Sequence, residues 1–319
     1  MKGPLVSIIV PAYNAAPFLE EAVVSAQAQT HAKIEIIIVD DGSTDRTFEI
    51  AAQCARRDSR VVVLQHVSNA GLSATRNSGI RAARGEWVAF MDADDVFLPH
   101  KTELQLALWR DDPKTNLLYT NYLNWDGTKD LGLRYKSLER MPEGDVSRKL
   151  FYENQFCPST VMLRRVELEK LGGFNSALRA TEDWDLWLRV AEGGLWARGV
   201  WEPQIRYRQW AGNMSKNRKK MASCQIETLE LAIARAQSAE RRAHYERSLR
   251  HARANWEFAE VRPLAEENHG ALAAAVWRAW KLRPGRLKWL LWYAAVRWPK
   301  ALGGGWTARP VHRRLREKW

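Results

Sequence analysis

Short apolar runs rich in β-branched residues alternate with amphipathic stretches through the first third of the chain. Each run is bounded by turn residues and predicts a buried strand. The predicted strands are residues 6–10, closed by Pro11, and residues 34–39, 61–64 and 87–90. Helices are predicted between them, over about residues 17–29, from about residue 45, and from 69 to 85. This alternation predicts an α/β fold in which helices cover both faces of a mostly parallel sheet.

The middle of the chain is less regular. Strands are predicted over residues 117–122 and 158–162, and the second of these enters a helix near Arg164. The polar stretch 126–143 predicts an irregular loop.

After Lys220 the pattern is helical throughout. The predicted helices are residues 225–236, 240–258 and 271–282, with breaks at Pro263 and at Pro284-Gly285. The change in pattern predicts two domains, residues 1–220 and a helical region over residues 221–319.

The composition is that of an ordinary globular protein, with 46% hydrophobic and 27% charged residues among 319. The cysteines, Cys54, Cys157 and Cys224, are odd in number and far apart, which indicates neither a disulfide framework nor a zinc site. Their use fits a reducing compartment. The amino terminus lacks the apolar region of a signal peptide, and no stretch reaches the roughly 20 apolar residues that span a bilayer. These features predict a cytoplasmic protein.

The net charge of +12 is unevenly distributed: residues 1–212 carry −2, and residues 213–319 carry +14. Eight of the 16 tryptophans lie at or beyond Trp256, and residues 286–298 are both basic and rich in tryptophan. Such a helix suits the headgroup region of an anionic bilayer, so the protein is expected at the inner face of the cell membrane as a peripheral protein. Packing of the tryptophans on the first domain explains the pattern equally well. Nucleic-acid binding is a third use of arginine and tryptophan, but no motif in the sequence supports it.

Three carboxylates, Asp92, Asp94 and Asp95, crowd the end of the predicted strand 87–90. Like charges this close resist ionisation unless a cation lies among them. A hard divalent metal such as Mg²⁺ or Mn²⁺ prefers oxygen ligands and binds phosphate oxygens at the same time. The Asp-x-Asp pattern at the carboxyl end of a strand therefore suggests a metal–diphosphate site, although an ordinary solvated turn has a similar composition.

Four segments at the carboxyl ends of these strands resemble family 2 glycosyltransferases in sequence, order and spacing. The segments are residues 6–14 (VSIIVPAYN), 38–45 (IVDDGSTD), 69–77 (NAGLSATRN) and 91–95 (MDADD). Members of this family are inverting enzymes of the Rossmann-like GT-A fold. The resemblance implies that fold for the first domain and a divalent metal, Mn²⁺ or Mg²⁺, as cofactor.

The resemblance also implies roles for individual residues. Those expected to bind the nucleotide-sugar are Pro11, Ala12, Tyr13, Asn14, Asp40, Asp41, Arg76, Asp92 and Ala93. Asp92 and Asp94 are the expected metal ligands, with Asp95 in a structural role. Turn chemistry is the alternative for Asp40-Asp41, and a solvated helix charge is the alternative for Arg76.

Glu182-Asp183 resembles the family's Glu-Asp pair, whose aspartate is the catalytic base. The reaction needs a base because an acceptor hydroxyl is a poor nucleophile until it loses its proton. The alternative is that both acids only favour the helix dipole, at the start of a helix that Thr181 is expected to cap. Asp185 is the nearby rival, but it lies two residues further along the helix.

One residue departs from the family pattern. Residues 207–215 resemble the segment that closes over the donor, and many relatives have a histidine where Trp210 stands. Tryptophan cannot bind a metal, so either the metal has fewer protein ligands here, or Trp210 stacks on a substrate ring or packs in the core.

The resemblance implies transfer of a sugar from a nucleotide-sugar, expected to be a UDP-sugar, to a hydroxyl of a carbohydrate or lipid-linked acceptor. Bacterial cell-surface polysaccharide or glycolipid synthesis is the expected setting, with no nucleic-acid partner. The alternative is a non-catalytic nucleotide-sugar-binding or membrane-scaffold protein that keeps the fold.

Overall fold

The computed structural model describes residues 3–261 and, beyond them, residues 274, 277–278 and 280–282. The chain divides into two compact units, Met1–Asn213 and Met214–Trp319. Most of the predicted helix 271–282 and all of the basic segment 286–298 lie outside the described residues. Among the described residues, no helix has both the length and the apolar character needed to cross a bilayer.

Strands and helices alternate through the first ninety residues of the first unit. Its strands are β1 Val6–Ala12, β2 Ile34–Asp40, β3 Val61–Gln65, β4 Trp87–Phe90, β5 Val96–Phe97, β6 Leu117–Trp125, β7 Asp130–Leu133, β8 Met162–Arg164 and β9 Ala197–Arg208. Its helices are α1 Leu19–Gln27, α2 Thr47–Arg57, α3 Leu72–Ala82, α4 Lys101–Asp111, α5 Ser147–Leu150, α6 Arg165–Lys170 and α7 Glu182–Glu192.

The strands of the first unit form one sheet in the order β3–β2–β1–β4–β8–β6–β9–β5, with β7 paired to β6. β1 to β4 are mutually parallel, and antiparallel pairing begins at β8. This confirms the predicted α/β fold. The chain moves outward from β1 to β3 and then returns to place β4 on the other side of β1. Ligands of open α/β sheets bind at such a reversal, beyond the carboxyl ends of the strands.

Burial explains why β1, β2 and β4 are mostly apolar, because every residue of these strands is buried. Two polar exceptions satisfy each other, since the Ser7 hydroxyl donates to Glu35 at 2.6 Å. Parallel strands are covered on both faces and cannot alternate polar with apolar residues. Crossovers between parallel strands are right-handed. Strands are added in one direction from β1 to β3 and on the other side of β1 for β4, so α3 lies on the opposite face from α1 and α2. Because β1 is the parallel neighbour of both β2 and β4, the loops after these three strands lie together at one edge of the sheet.

The prediction that Pro11 closes β1 is wrong, because the strand continues to Ala12. The N–H of Met91 donates to the carbonyl of Ile9 at 2.9 Å, so the backbone polar groups of Ile9 face β4. Those of Pro11, two residues on, face the same side. Pairing with β4 ends at Phe90, opposite Ile9, so the missing N–H of proline removes no ladder bond.

Two other predictions in the first unit differ from the structure, and several elements were not predicted. The stretch 126–143 contains β7, a mostly exposed strand that the polar composition hides. The strand predicted over 158–162 begins only at Met162, because residues 158–160 form a turn of 3-10 helix that starts with proline. Strands β5 and β9 and helices α4 and α5 were not predicted.

The second unit contains α8, Arg218–Arg235, and α9, Ala239–Val261. Helix α8 begins seven residues before its predicted first residue, in a basic segment whose apolar residues show no helical period. The side chain of Asn217 accepts the backbone N–H of Lys220 at 3.0 Å and caps the helix.

Candidate functional site

The loop after β1 forms the first side of the candidate site and contains the predicted nucleotide-binding residues 11–14. Asn14 has a φ of +48°, and its Oδ1 accepts the backbone N–H of Thr44 at 2.9 Å. This hydrogen bond joins the loop to the one that follows β2. Tyr13 is half-exposed at the same edge. The structure thus brings residues 11–14 beside Asp41, whose N–H donates to the Ala12 carbonyl at 2.8 Å.

Asp41 is a buried carboxylate that fixes the loop after β3. Its oxygens accept the N–H groups of Ala70 and Gly71 at 2.9 Å, and one of them lies 2.7 Å from Nδ1 of His66. Burial alone would raise the pKa of Asp41, but these hydrogen bonds outweigh burial and lower it. Asp40 is buried beside it, and its Oδ1 has no hydrogen-bond partner within the described part of the chain. Asp41 therefore organises the loop that opens α3, whose bonded residues lie 29 and 30 positions further along the chain.

Arg76 lies at the centre of the site and is only 1% exposed, so the alternative of a solvated helix charge is wrong. Its Nη2 donates to Asp92 at 2.7 Å, and its Nη1 donates to Glu182 at 2.5 Å. Burial alone would lower the pKa of the guanidinium, but the two carboxylates outweigh burial and raise it. Its Cζ also lies 5.2 Å from the ring centre of Phe174. One buried cation thus joins the strand end of β4 to the start of α7.

The acidic segment after β4 is held from two sides. The N–H of Asp92 donates to Ser159 Oγ at 3.0 Å, and Ala93 is buried behind it. The Oδ2 of Asp94 accepts the indole N–H of Trp210 at 2.7 Å. Burial and the neighbouring Asp92 raise the pKa of Asp94, and the indole hydrogen bond opposes them. Trp210 is therefore only partly buried, and it contacts the acidic segment directly.

Asp95 is 1% exposed, and its Oδ1 accepts the N–H of Arg208 at 3.0 Å. The Nε of Arg208 donates to the Asp94 carbonyl at 2.8 Å. Burial, with Asp92 and Asp94 close by, raises the pKa of Asp95 well above its ordinary value. Within residues 3–261, Asp95 Oδ2 has no hydrogen-bond partner. A buried carboxyl group with an oxygen left over is suited to a cation as its missing partner.

The donor atoms of this region fit a divalent cation. Carboxylate oxygens of Asp92 and Asp95 and the Sγ of Cys157 lie within 4.8 Å of one another, the one such group among the described residues. Carboxylate oxygens are the ligands that Mg²⁺ and Mn²⁺ prefer. Burial, with Asp95 and Asp92 close by, raises the pKa of the Cys157 thiol well above its ordinary value, so the two carboxylates are the groups that fit such a cation. Asp94, the expected principal ligand, is outside this group. The expected pair Asp92 and Asp94 thus remains a prediction.

Asp183 is partly exposed at the start of α7. The Nδ2 of Asn154 donates to its Oδ2 at 2.7 Å, and the N–H of Trp184 donates to its Oδ1 at 2.7 Å. Burial and the neighbouring Glu182 raise the pKa of Asp183 to about 7. The rival Asp185 is only 1% exposed and forms an ion pair with Arg189 at 2.9 Å. Asp183 is thus the more accessible of the two aspartates, and its pKa lies near neutrality.

Thr181 precedes α7, but the prediction that it caps the helix is wrong. Its φ of +60° lies in the left-handed region, whereas an N-cap residue has an extended backbone. Its hydroxyl instead donates to the carbonyl of Ala180 at 2.6 Å. A β-branched residue with this φ is strained, which is common where a fold holds a functional group in place.

Sequence reasoning did not single out the residues that hold these carboxylates. They are Asn154 for Asp183, Ser159 for Asp92, Arg208 for Asp94 and Asp95, and His66 for Asp41. Each lies between 25 and 114 residues from its partner, so no local pattern links them. Only Arg208 lay in a segment, residues 207–215, that the resemblance had placed near the donor.

Known proteins resemble the chain in sequence and in structure. The Escherichia coli protein WfaP, described as UDP-Glc:alpha-D-GlcNAc-diphosphoundecaprenol beta-1,3-glucosyltransferase, is 33% identical over 216 residues. The match covers 68% of this chain and 82% of WfaP. Other relatives match over 26% to 84% of their own length.

Two solved structures share the fold. Staphylococcus aureus TarS 1-349 in complex with UDP-GlcNAc superposes with a TM-score of 0.66 at 19% identity, covering 98% of this chain and 92% of TarS. The Pyrobaculum calidifontis mannosyltransferase PcManGT, in complex with GDP-Man and Mn²⁺, gives a TM-score of 0.62 at 20% identity, covering 95% and 88%. The family model named Glycosyl transferase family 2 matches residues 7–172, more than half of the chain. The chain belongs to glycosyl transferase family 2.

Proposed function

We propose that this glycosyltransferase moves a sugar from a UDP-sugar to an acceptor hydroxyl with inversion at the anomeric carbon. The observation that carries the proposal is the buried Arg76, which bridges Asp92 and Glu182. Asp92 belongs to the donor motif, and Glu182 directly precedes the proposed base. One side chain thus contacts both the donor motif and the residue beside the proposed base.

Asp183 is the proposed base. It would take the proton of the acceptor hydroxyl while that oxygen attacks the anomeric carbon and the bond to the diphosphate breaks. A pKa of about 7 suits this role, because such a carboxylate is ionised in much of the population at neutral pH and still binds a proton well. The hydrogen bond from Asn154 fixes the direction of the carboxylate.

A divalent cation is the proposed cofactor, and Asp92 and Asp94 are its proposed ligands. Ligand atoms of Asp95 and Cys157 lie within 4.8 Å of a carboxylate oxygen of Asp92. When bound, it would supply positive charge for the leaving diphosphate. Asp92 itself stays held by Arg76 and Ser159. Residues 11–14, Asp40 and Asp41 are the proposed walls of the nucleotide pocket.

The proposed acceptor is a lipid-linked or free carbohydrate, in the synthesis of a cell-surface polysaccharide or glycolipid. Support comes from the name of WfaP, which specifies UDP-Glc and an acceptor linked to diphosphoundecaprenol. An acceptor of that kind would place the enzyme at a membrane surface. The same proposal assigns glycosyl transfer to a domain of residues 1–220, which a separate basic helical region follows.

The test is transfer from a panel of UDP-sugars, with Mn²⁺ present, to a sugar linked to polyprenyl diphosphate. We expect UDP release that depends on the acceptor, and NMR of the product should show the inverted anomer. Asp183→Asn should keep UDP affinity and lower turnover by about 10²–10⁴, the usual effect of a lost general base. The exposed Asp130→Asn serves as the matched control.

Binding of UDP-sugars without transfer to any acceptor would favour the non-catalytic alternative. Near-normal turnover by Asp183→Asn would move the role of base to another group. Retention of configuration would contradict direct displacement.

A further inference from the structure

Trp210 makes a contact with Asp94 that a tryptophan in a merely apolar role would not need. Its indole Nε1 donates to Asp94 Oδ2 at 2.7 Å, and the residue is 40% exposed. The short distance marks a strong, charge-assisted hydrogen bond. Trp210 therefore acts on the orientation of one carboxylate of the acidic segment.

The surroundings hold Trp210 in this position on two sides. Its ring packs on Phe18 with the ring centres 5.1 Å apart. Its backbone is braced by Asn213, which accepts the Trp210 N–H through Oδ1 and donates its own N–H to the Trp210 carbonyl. Asn213 Nδ2 also donates to the carbonyl of Arg208 at 2.9 Å, so the whole turn is tied to β9.

A fixed donor decides which way the carboxylate faces. A carboxylate offers about four lone-pair positions, and the indole occupies one of them on Oδ2. The remaining positions of Asp94 are then presented in one orientation rather than many. In metal sites, partners of this kind behind a ligating carboxylate raise its affinity for the ion.

We propose that Trp210 is a positioning residue, whose indole N–H orients Asp94 for a divalent cation. The inference rests on the proposed function, because it assumes that Asp94 binds the cation. It also specifies how this chain uses an aromatic residue that cannot itself bind a metal. The ring stays in place, and the carboxylate rather than the indole meets the ion.

The test measures Mn²⁺ binding to the full-length protein by calorimetry and by the EPR signal of free Mn²⁺, with no nucleotide-sugar present. Trp210→Phe keeps a ring beside Phe18 and removes the N–H. We expect its Mn²⁺ affinity to fall by about 10–100-fold, the usual effect of losing such a partner. Its melting temperature should stay near that of the wild type.

Phe18→Leu is the matched control, because it loosens the packing and leaves the N–H donor in place. We expect its Mn²⁺ affinity to change much less than that of Trp210→Phe. Equal losses in both variants would reduce Trp210 to a packing role and overturn the inference.

Two further results would also overturn the inference. Unchanged affinity in a folded Trp210→Phe variant would show that the hydrogen bond does not matter, and tighter binding would show that the indole competes with the ion. Both leave the proposed function intact. If the wild type itself binds no Mn²⁺, the proposed cation site fails, and this inference fails with it.

Discussion

The protonation of Asp183 is set by three neighbouring side chains as well as by burial. Burial raises its pKa most, and Glu182 adds to that effect, while Arg76 and Asn154 oppose both. The result, a pKa of about 7, means that Asp183, the proposed base, gains its proton as the pH falls through neutrality. Turnover should therefore fall on the acid side of about pH 7.

Replacing Glu182 by glutamine tests this balance at a single residue. The change removes a carboxylate that raises the pKa of Asp183 and leaves the opposing cation of Arg76 in place. We expect the acid limb of kcat to move to lower pH. The measurement is kcat between about pH 5 and 9 with saturating donor and acceptor.

An exposed glutamate, Glu246→Gln, supplies the control and should keep the wild-type profile. An acid limb that stays in place, or moves to higher pH, would mean that another group limits turnover.

Arg76 shows what the sequence could predict of the site and what it could not. Its motif placed it near the nucleotide, and the structure does place it at the carboxyl edge of the sheet. That Arg76 is buried, however, depends on Glu182, a residue 106 positions away. The same holds for Arg208, whose partner Asp94 lies 114 positions away. Motifs predict which residues meet a substrate, but the residues that hold those side chains in place are set by tertiary contacts.

Among the helices, α3 and α7 form the frame that carries Asp183, the proposed base. Besides the Arg76–Glu182 ion pair, Asn77 of α3 accepts the N–H of Phe174 and donates to its carbonyl, both at 2.8 Å. Arg189 of α7 donates to the carbonyls of Leu171 and Gly173 at 2.7 Å. The loop between α6 and α7 is thus held by both helices.

Breaking the ion pair should loosen this frame. Arg76→Met leaves the buried Glu182 without its cation and should lower the free energy of unfolding by about 3–5 kcal/mol. Adding Glu182→Gln removes the uncompensated charge, so the double variant should be more stable than Arg76→Met alone. Urea unfolding of the wild type, both single variants and the double variant measures the effect.

Arg81→Met, on the exposed surface of the same helix, should change the free energy of unfolding by no more than about 0.5 kcal/mol. Additive effects of Arg76→Met and Glu182→Gln would contradict the proposed coupling of α3 to α7.

The elements that were predicted and those that were missed differ in how much local signal they carry. β1, β2 and β4 are mostly apolar runs, because both of their faces are covered. β5 has two residues, and β7 is mostly exposed, so neither has a run to detect. These strands form only because β9 and β6 supply their partners.

The molecule as a whole carries its positive charge at one end of the sequence. Residues 262–319 hold 13 lysines and arginines and three glutamates, a net +10. Each basic residue near an anionic leaflet contributes about 1 kcal/mol of binding. Tryptophans that enter the headgroup region would add a part of the binding that resists salt.

Deleting residues 284–319 tests whether this end holds the enzyme at a membrane. The full-length protein should sediment with anionic vesicles at low salt, and the truncated protein should not. UDP affinity should be the same for both. Neutral phosphatidylcholine vesicles are the control, because they lack the charge that attracts basic segments.

Equal binding of both proteins to the anionic vesicles would exclude the end of the chain as the membrane contact. If neither protein binds the anionic vesicles, the result would favour the alternative that the tryptophans pack on the first domain.

The left-handed backbone of Thr181 implies a trade-off between stability and rate. Such a conformation costs a β-branched residue about 1–3 kcal/mol, and glycine adopts it without that strain. Thr181→Gly should relieve the strain, although the greater freedom of glycine in the unfolded chain offsets part of the gain. It should also let the start of α7 move, so kcat should fall even where the melting temperature rises. Selection for a more heat-resistant enzyme would then recover changes at Thr181 only when turnover is left unselected.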